Sequence, residues 1–187
     1  MKMASIAVGA LALTIAFAAI AADVGGVKLD DKTSVGGQEL VLNGAGIRTR
    51  AVFKVYVGSL YLPAKATTVA GVVAKGPRRI QLNLLRDLSG DQLSDAVNEG
   101  MKESNSAADV DAVKGETEQF ISIVKAMGPL KEGSVISIDF VEGATKIGFN
   151  AAPKGTVPGE AFNRALTKIW VGDKPVQPDL KKAMLGG

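Results

Sequence analysis

The chain has 187 residues, 47% of them hydrophobic and 22% charged, and it contains no cysteine and no histidine. Those two absences exclude disulfides, cysteine nucleophiles, thiolate-held zinc or iron–sulfur clusters, Ser-His-Asp triads and histidine-ligated metals. The net charge of +3 comes from 22 Lys and Arg against 19 Asp and Glu, with adjacent basic residues only at Arg78-Arg79 and Lys181-Lys182, both expected on solvated surface. That is too small and too diffuse a positive charge for a nucleic-acid partner. No run of acidic residues has the spacing of a calcium loop, so neither a metal nor another cofactor is expected.

Met1-Lys2-Met3, the apolar run Ile6 to Ile20 and the small residues of Ala19-Ile20-Ala21 read together as a secretory signal peptide over residues 1–21. The run is shorter than the ~20 residues a membrane span needs. Cleavage after Ala21 leaves residues 22–187 as a single domain, periplasmic if the cell is Gram-negative and without stable insertion in a membrane. An exported chain with no cysteine must be held by core packing alone.

Val24 to Leu29 and Gln38 to Leu42 are expected as short strands separated by the turn-rich Asp30-Asp31-Lys32 and Gly36-Gly37. A longer extended segment runs from Ile47 to Leu62, where Phe53, Val55, Val57 and Tyr61 alternate with Lys54, Tyr56 and Gly58, and Pro63 ends it. Thr68 to Ala74 has room for one or two helical turns. Arg79 to Leu85 alternates as a half-buried strand does, with Ile80, Leu82 and Leu84 on one face.

Ser89-Gly90-Asp91 opens a helix with Leu93, Ala96, Val97, Gly100 and Met101 at helical spacing. A second helix carries Val110, Val113, Thr117, Phe120, Ile121, Val124 and Met127 and stops at Gly128-Pro129. Val135 to Glu142 and Thr145 to Asn150 form a hairpin about Gly143-Ala144. Pro153 to Gly159 reads as a loop, after which Phe162, Ala165, Leu166, Ile169 and Trp170 mark a helical face. Pro178 starts a last short helix. Strands and helices in this order, without regular β-α-β alternation, predict an α+β domain: an antiparallel sheet with helices gathered on one face.

Few residues advertise chemistry. Gly44-Ala45-Gly46 begins like a dinucleotide loop, but Thr49 stands at the sixth position and a strand-like segment follows instead of a helix. Glu116 with Glu118, and Asp139 with Glu142, lie two and three apart, spacings that turn the members of each pair to different faces, so they are expected as surface charge. The extended segment is the unusual one: it holds both tyrosines of the chain together with Arg48, Arg50 and Lys54. A guanidinium beside a phenol is a good receptor for a carboxylate or enolate, because it joins a bidentate permanent charge to a short hydrogen bond. In one unbroken strand, however, Arg48 and Tyr56 would lie roughly 26 Å apart. Without a turn the segment is an ordinary amphipathic strand with exposed cations, and Thr49-Arg50-Ala51-Val52 does not announce a turn.

The blocks Leu42-Asn43-Gly44-Ala45-Gly46-Ile47-Arg48, Phe53 to Leu62, Leu88-Ser89-Gly90-Asp91-Gln92-Leu93, the hairpin at Val135 to Asn150, and Phe162-Asn163-Arg164-Ala165-Leu166 through Ile169-Trp170-Val171-Gly172 resemble the bacterial chalcone isomerase-like family. That family is a branch of the plant chalcone isomerase and fatty-acid-binding protein fold. The resemblance implies an open-faced β-sandwich, a large antiparallel sheet covered by helices, with a ligand cleft between them. It places Arg48 at the arginine that the plant isomerases use and Tyr56 at one of their threonines. It places Leu93, Gly100 and Ile169 where those enzymes carry a tyrosine, an asparagine and a serine or threonine. The surviving Arg48 and Tyr56 resemble the carboxylate clamp of the fatty-acid-binding relatives.

Chalcone cyclisation needs polar groups to hold a phenolate and polarise an enolate, and leucine, glycine and isoleucine supply none. The expectation is therefore an exported binding protein for a fatty acid or similar apolar carboxylate, with Arg48, Tyr56, Leu93, Gly100 and Ile169 lining its cleft. The alternatives are an isomerase or intramolecular lyase acting through Arg48 and Tyr56, and a structural envelope protein with no cavity beside Arg48.

Overall fold

Alternation of apolar residues along successive extended segments builds the centre of the molecule. In a computed structural model describing residues 22–74 and 76–187, seven strands form one antiparallel sheet in sequence order: β3 (Lys32–Val35), β4 (Gln38–Arg50), β5 (Phe53–Leu62), β6 (Arg78–Leu84), β7 (Val135–Val141), β8 (Ala144–Phe149) and β9 (Ala152–Pro158). A separate hairpin, β1 (Ala22–Val24) with β2 (Val27–Leu29), precedes them. The signal-peptide reading falls on residues outside those described. Among the described residues no helix is long and apolar enough to cross a membrane.

The helices are α1 (Val69–Val72), α2 (Gly90–Ser104), α3 (Ala107–Ala112), α4 (Lys114–Lys125), α5 (Glu160–Val171) and α6 (Pro178–Met184). Ser89 caps α2 in a reciprocal arrangement with Gln92, as Ser-Gly-Asp-Gln implies. The apolar faces of α2, α4 and α5, with Leu93, Met101, Phe120, Phe162, Leu166 and Trp170, close over Leu60, Leu82, Leu84, Ile136, Ile138 and Phe140 of the sheet in one core. This is the α+β sheet-and-helix arrangement expected from the order of elements.

Four local expectations are corrected. The extended segment Ile47 to Leu62 is two strands, because the chain turns back through Ala51-Val52 with Ala51 at a φ of 52°. Lys32, expected in a turn, instead opens a strand through Val35 that pairs with β4, and the following turn is confined to Gly36-Gly37, both at positive φ. Pro153 to Gly159 is largely strand β9; at the sheet's edge, the amide that Pro153 lacks need not serve a further strand. The single helix expected through Val110 and Met127 is interrupted at Val113, which ends α3 and precedes α4.

The glycines that resembled a nucleotide loop serve packing instead. A Cβ on Gly44 would lie 2.1 Å from the carbonyl oxygen of Ala183, and one on Gly46 2.8 Å from the Cβ of Ala183, so their bare backbone lets α6 lie directly on β4. Between them and the strand's start, Asn43 bulges out of register; its amide donates to the carbonyls of Ala66 (2.9 Å) and Met184 (2.8 Å) and accepts from the amide of Ala66 (2.7 Å).

Arg78 and Arg79 are not the solvated pair expected. Arg78 is 4% exposed, stacks 4.6 Å above the ring of Phe140 and donates to Thr167 and Asn163 of α5. Burial, with the neighbouring Arg164 charge, lowers its pKa to about 10. On the opposite face Arg79 makes a bidentate pair with Asp139 at 2.5 and 2.7 Å and donates to Thr33. Asp139, expected as surface charge, is thus a half-buried partner that raises the pKa of Arg79.

Candidate functional site

The turn at Ala51-Val52 decides the geometry of the site. It folds the segment back so that Arg48 and Tyr56 become direct cross-strand neighbours on β4 and β5. The distance that a single strand would have put between them disappears. A register shift between Arg48 and Thr49 leaves Val55 as the extra residue of a bulge, which re-aims the side chains around it.

Both residues line a cavity of about 490 Å³ between the sheet and α2 and α5. Leu93 and Gly100 of α2 and Ile169 of α5 line the same cavity, so all five residues singled out in the sequence are brought together. Its floor is formed by buried side chains such as Tyr56, Leu82, Val97 and Trp170. The exposed rim carries Arg50, Phe53, Arg86, Gln92, Glu99 and Glu103. A cavity therefore does stand beside Arg48, unlike the collapsed core of a purely structural protein.

The phenol of Tyr56 is fixed from the helix layer: Trp170 Nε1 donates to its oxygen at 3.0 Å. Burial raises the pKa of Tyr56 above its ordinary value, opposed by the Trp170 hydrogen bond and the nearby Arg48 charge. The group stays neutral at physiological pH and keeps its own proton to donate. This is the state that suits recognition of a carboxylate, whereas a general base would need the phenolate.

Arg48 is held by residues that sequence reasoning did not find. Its guanidinium donates to the carbonyl of Thr49 and to Gln177 Oε1 at 3.3 Å. Gln177, just before α6, also accepts from the amide of Thr49 (2.8 Å) and donates to the carbonyl of Ile47 (3.2 Å), bracketing Arg48 on both sides. Nothing in the local sequence marks Gln177, which meets β4 across some 130 positions. Trp170 did carry a signal: a lone tryptophan on an apolar helix face needs a partner for its N–H.

Gly100 and Ile169 explain one another. A Cβ at position 100 would fall 2.8 Å from Cγ2 of Ile169, so the branched side chain occupies the space that a larger residue on α2 would require. The two positions are closed by a single apolar contact. Leu93 adds a third buried apolar group to that wall. Among the described residues no cluster of acidic side chains could hold a metal ion.

The same architecture occurs in a plant protein. The crystal structure of a fatty-acid binding protein from Arabidopsis thaliana superposes with a TM-score of 0.65 at 15% sequence identity, covering 86% of this chain and 92% of that one. At this identity the likeness is one of fold. No curated protein sequence matches the chain. The sequence pattern of the chalcone isomerase-like proteins, by contrast, matches residues 21–186, which takes in every strand and helix described above, and the chain belongs to the chalcone isomerase-like family.

Proposed function

We propose that this protein is an exported, non-catalytic binder of a fatty acid or a similar apolar carboxylate. The observation that carries the proposal is the pairing of Arg48 with a neutral Tyr56 on the wall of a cavity whose floor is otherwise apolar. A carboxylate there would receive the guanidinium fork and the phenolic proton, while its chain contributes about 0.8 kcal/mol per buried methylene. The fold shared with the Arabidopsis fatty-acid binding protein supports the same reading. Reaction of the isomerase or intramolecular lyase type would need hydrogen-bonding side chains where Leu93, Gly100 and Ile169 stand. The leader at residues 1–21 would deliver the domain to the periplasm of a Gram-negative cell.

The test is titration of the delipidated protein with a fluorescent fatty acid. Saturable binding is expected, weakened about tenfold or more by Arg48→Ala, since a charge-assisted hydrogen bond contributes about 1.5–3 kcal/mol. Absence of saturable binding, or binding undiminished in Arg48→Ala, would overturn the proposal. Mass measurement of the protein recovered from the periplasm should show cleavage after Ala21; an uncleaved chain confined to the cytoplasm would reject the export.

A further inference from the structure

Among the described residues, Val52 and Phe53 are the large apolar side chains left in solvent, 84% and 57% exposed. Scattered apolar residues on a surface need no explanation. These two are adjacent, and they form the tip of the β4–β5 hairpin, the same hairpin that brings Arg48 to Tyr56. Phe53, Ala51, Arg50 and Arg86 also line the cavity, so the projecting tip is part of the cleft's rim.

The surroundings of the tip are cationic. Arg50 and Lys54 flank it on the two strands and are exposed, and the guanidinium of Arg86 lies 4.8 Å from the centroid of the Phe53 ring. The acidic residues of this rim, Glu99 and Glu103, stand on α2; Glu99 approaches Arg50 at 3.6 Å, an exposed contact that holds little energy. Apolar side chains on a tight two-residue turn, ringed by basic residues, match the layering of an anionic bilayer surface. There the apolar groups reach the acyl boundary while cations meet the headgroups.

We infer that the Val52-Phe53 tip is a docking element for an anionic membrane surface, which sets the mouth of the cleft against the lipid from which its ligand is drawn. The inference rests on the reading of the cleft as a fatty-acid site and names where that ligand is loaded. Docking here is peripheral: two side chains enter the interface and no segment spans it.

The experiment is co-sedimentation of the protein with vesicles of phosphatidylglycerol and, separately, of phosphatidylcholine, alongside titration with a soluble fluorescent fatty acid. Binding to phosphatidylglycerol is expected, reduced by added salt and by Arg50→Gln with Lys54→Gln. The pair Val52→Ser and Phe53→Ser should lower it about tenfold or more, from the apolar area withdrawn. Val52→Ser alone, at an exposed position that does not line the cavity, should lower vesicle binding in part and retain the affinity for the soluble probe. Lack of vesicle binding, binding undiminished in the Val52/Phe53 variant, or equal binding to phosphatidylcholine would overturn the docking inference while leaving the cleft intact. Tip-dependent vesicle binding with no uptake of the soluble probe would support docking and reject the fatty-acid reading.

Discussion

Trp170 Nε1 donates to the phenolic oxygen of Tyr56 at 3.0 Å, joining α5 to β5 inside the core and fixing the one phenol that faces Arg48. The bond makes Tyr56 an acceptor toward the helix layer and leaves its own proton uncommitted to Trp170. It also couples ligand recognition to packing, because the tryptophan that orients the phenol is itself part of the cavity's floor.

That arrangement predicts an alkaline limit to stability. Burial raises the pKa of both Tyr56 and Tyr61 above the ordinary 10.0, and these are the only tyrosines in the chain. A raised folded-state value means that the neutral phenols contribute their full stability below pH 10 and lose it as pH rises from there toward the folded-state values. Spectrophotometric titration should show no phenolate at the ordinary value, with both groups ionising together with the loss of near-ultraviolet circular dichroism. A tyrosine that titrates freely near 10 while the fold persists would contradict the burial. Tyr56→Phe should also cost about 1–3 kcal/mol, because it leaves the buried Trp170 N–H without its acceptor.

Gln177 predicts an effect on affinity without contact with the ligand. Its side-chain amide brackets Arg48 through Thr49 and Ile47 and accepts from the guanidinium itself. Gln177→Ala should free Arg48 to adopt other rotamers and weaken carboxylate binding about three- to tenfold, the range of one lost neutral hydrogen bond. Gln177→Glu puts an anion against the guanidinium, where it competes with the ligand's carboxylate, and removes the donor to Ile47, so it should weaken binding at least as much. Binding undiminished in Gln177→Ala would refute the positioning role, and weakened binding matched by a lowered thermal melt would show that Gln177 acts through folding alone.

Arg79 and Asp139 form a pair whose breakage should be costly for a different reason. Their side chains are 19% and 17% exposed, so most of the water that would solvate either charge is gone. Arg79→Met should lower the free energy of unfolding by about 2–3 kcal/mol, toward the low end for a buried pair that loses one partner. The double variant Arg79→Met with Asp139→Leu should recover part of that loss, since it leaves no unpaired charge. Urea unfolding of the three proteins measures both; an Arg79→Met protein as stable as the parent would refute the claim.

The architecture was legible where periodicity was strong. Ile80, Leu82 and Leu84 alternate because one face of β6 is buried, and Ser89 with Gln92 announces the start of α2 by its capping pattern. What stayed hidden depended on contacts between distant segments. The turn at Ala51-Val52 has neither asparagine nor glycine, and Ala51 takes up its positive φ between strands that pair on either side of it. Arg78 looks like surface by residue type, and its burial follows from Phe140, Asn163 and Thr167, which lie far along the chain. For the site, Arg48 and Tyr56 were identifiable as chemistry, but their proximity was a property of the hairpin.

The contact of Gly100 with Ile169 makes the apolar closure of the cleft testable as a coupled change. Gly100→Asn alone would drive its Cβ to 2.8 Å from Cγ2 of Ile169, and overpacking of this kind costs about 1–3 kcal/mol. Ile169→Ser alone removes buried apolar contact and places a hydroxyl in the cavity wall with Leu93, Val97 and Trp170, so it too should destabilise. Together the serine, which lacks the second γ branch, yields space to the asparagine, and the two polar groups can bond one another across α2 and α5. A double-mutant cycle in urea should therefore give a favourable coupling of about 1–2 kcal/mol. The double variant should also bind a fluorescent fatty acid more weakly than the parent, because the wall that faces the ligand's chain becomes polar. Simple additivity of the two losses would show that glycine at 100 and isoleucine at 169 are independent features of the fold.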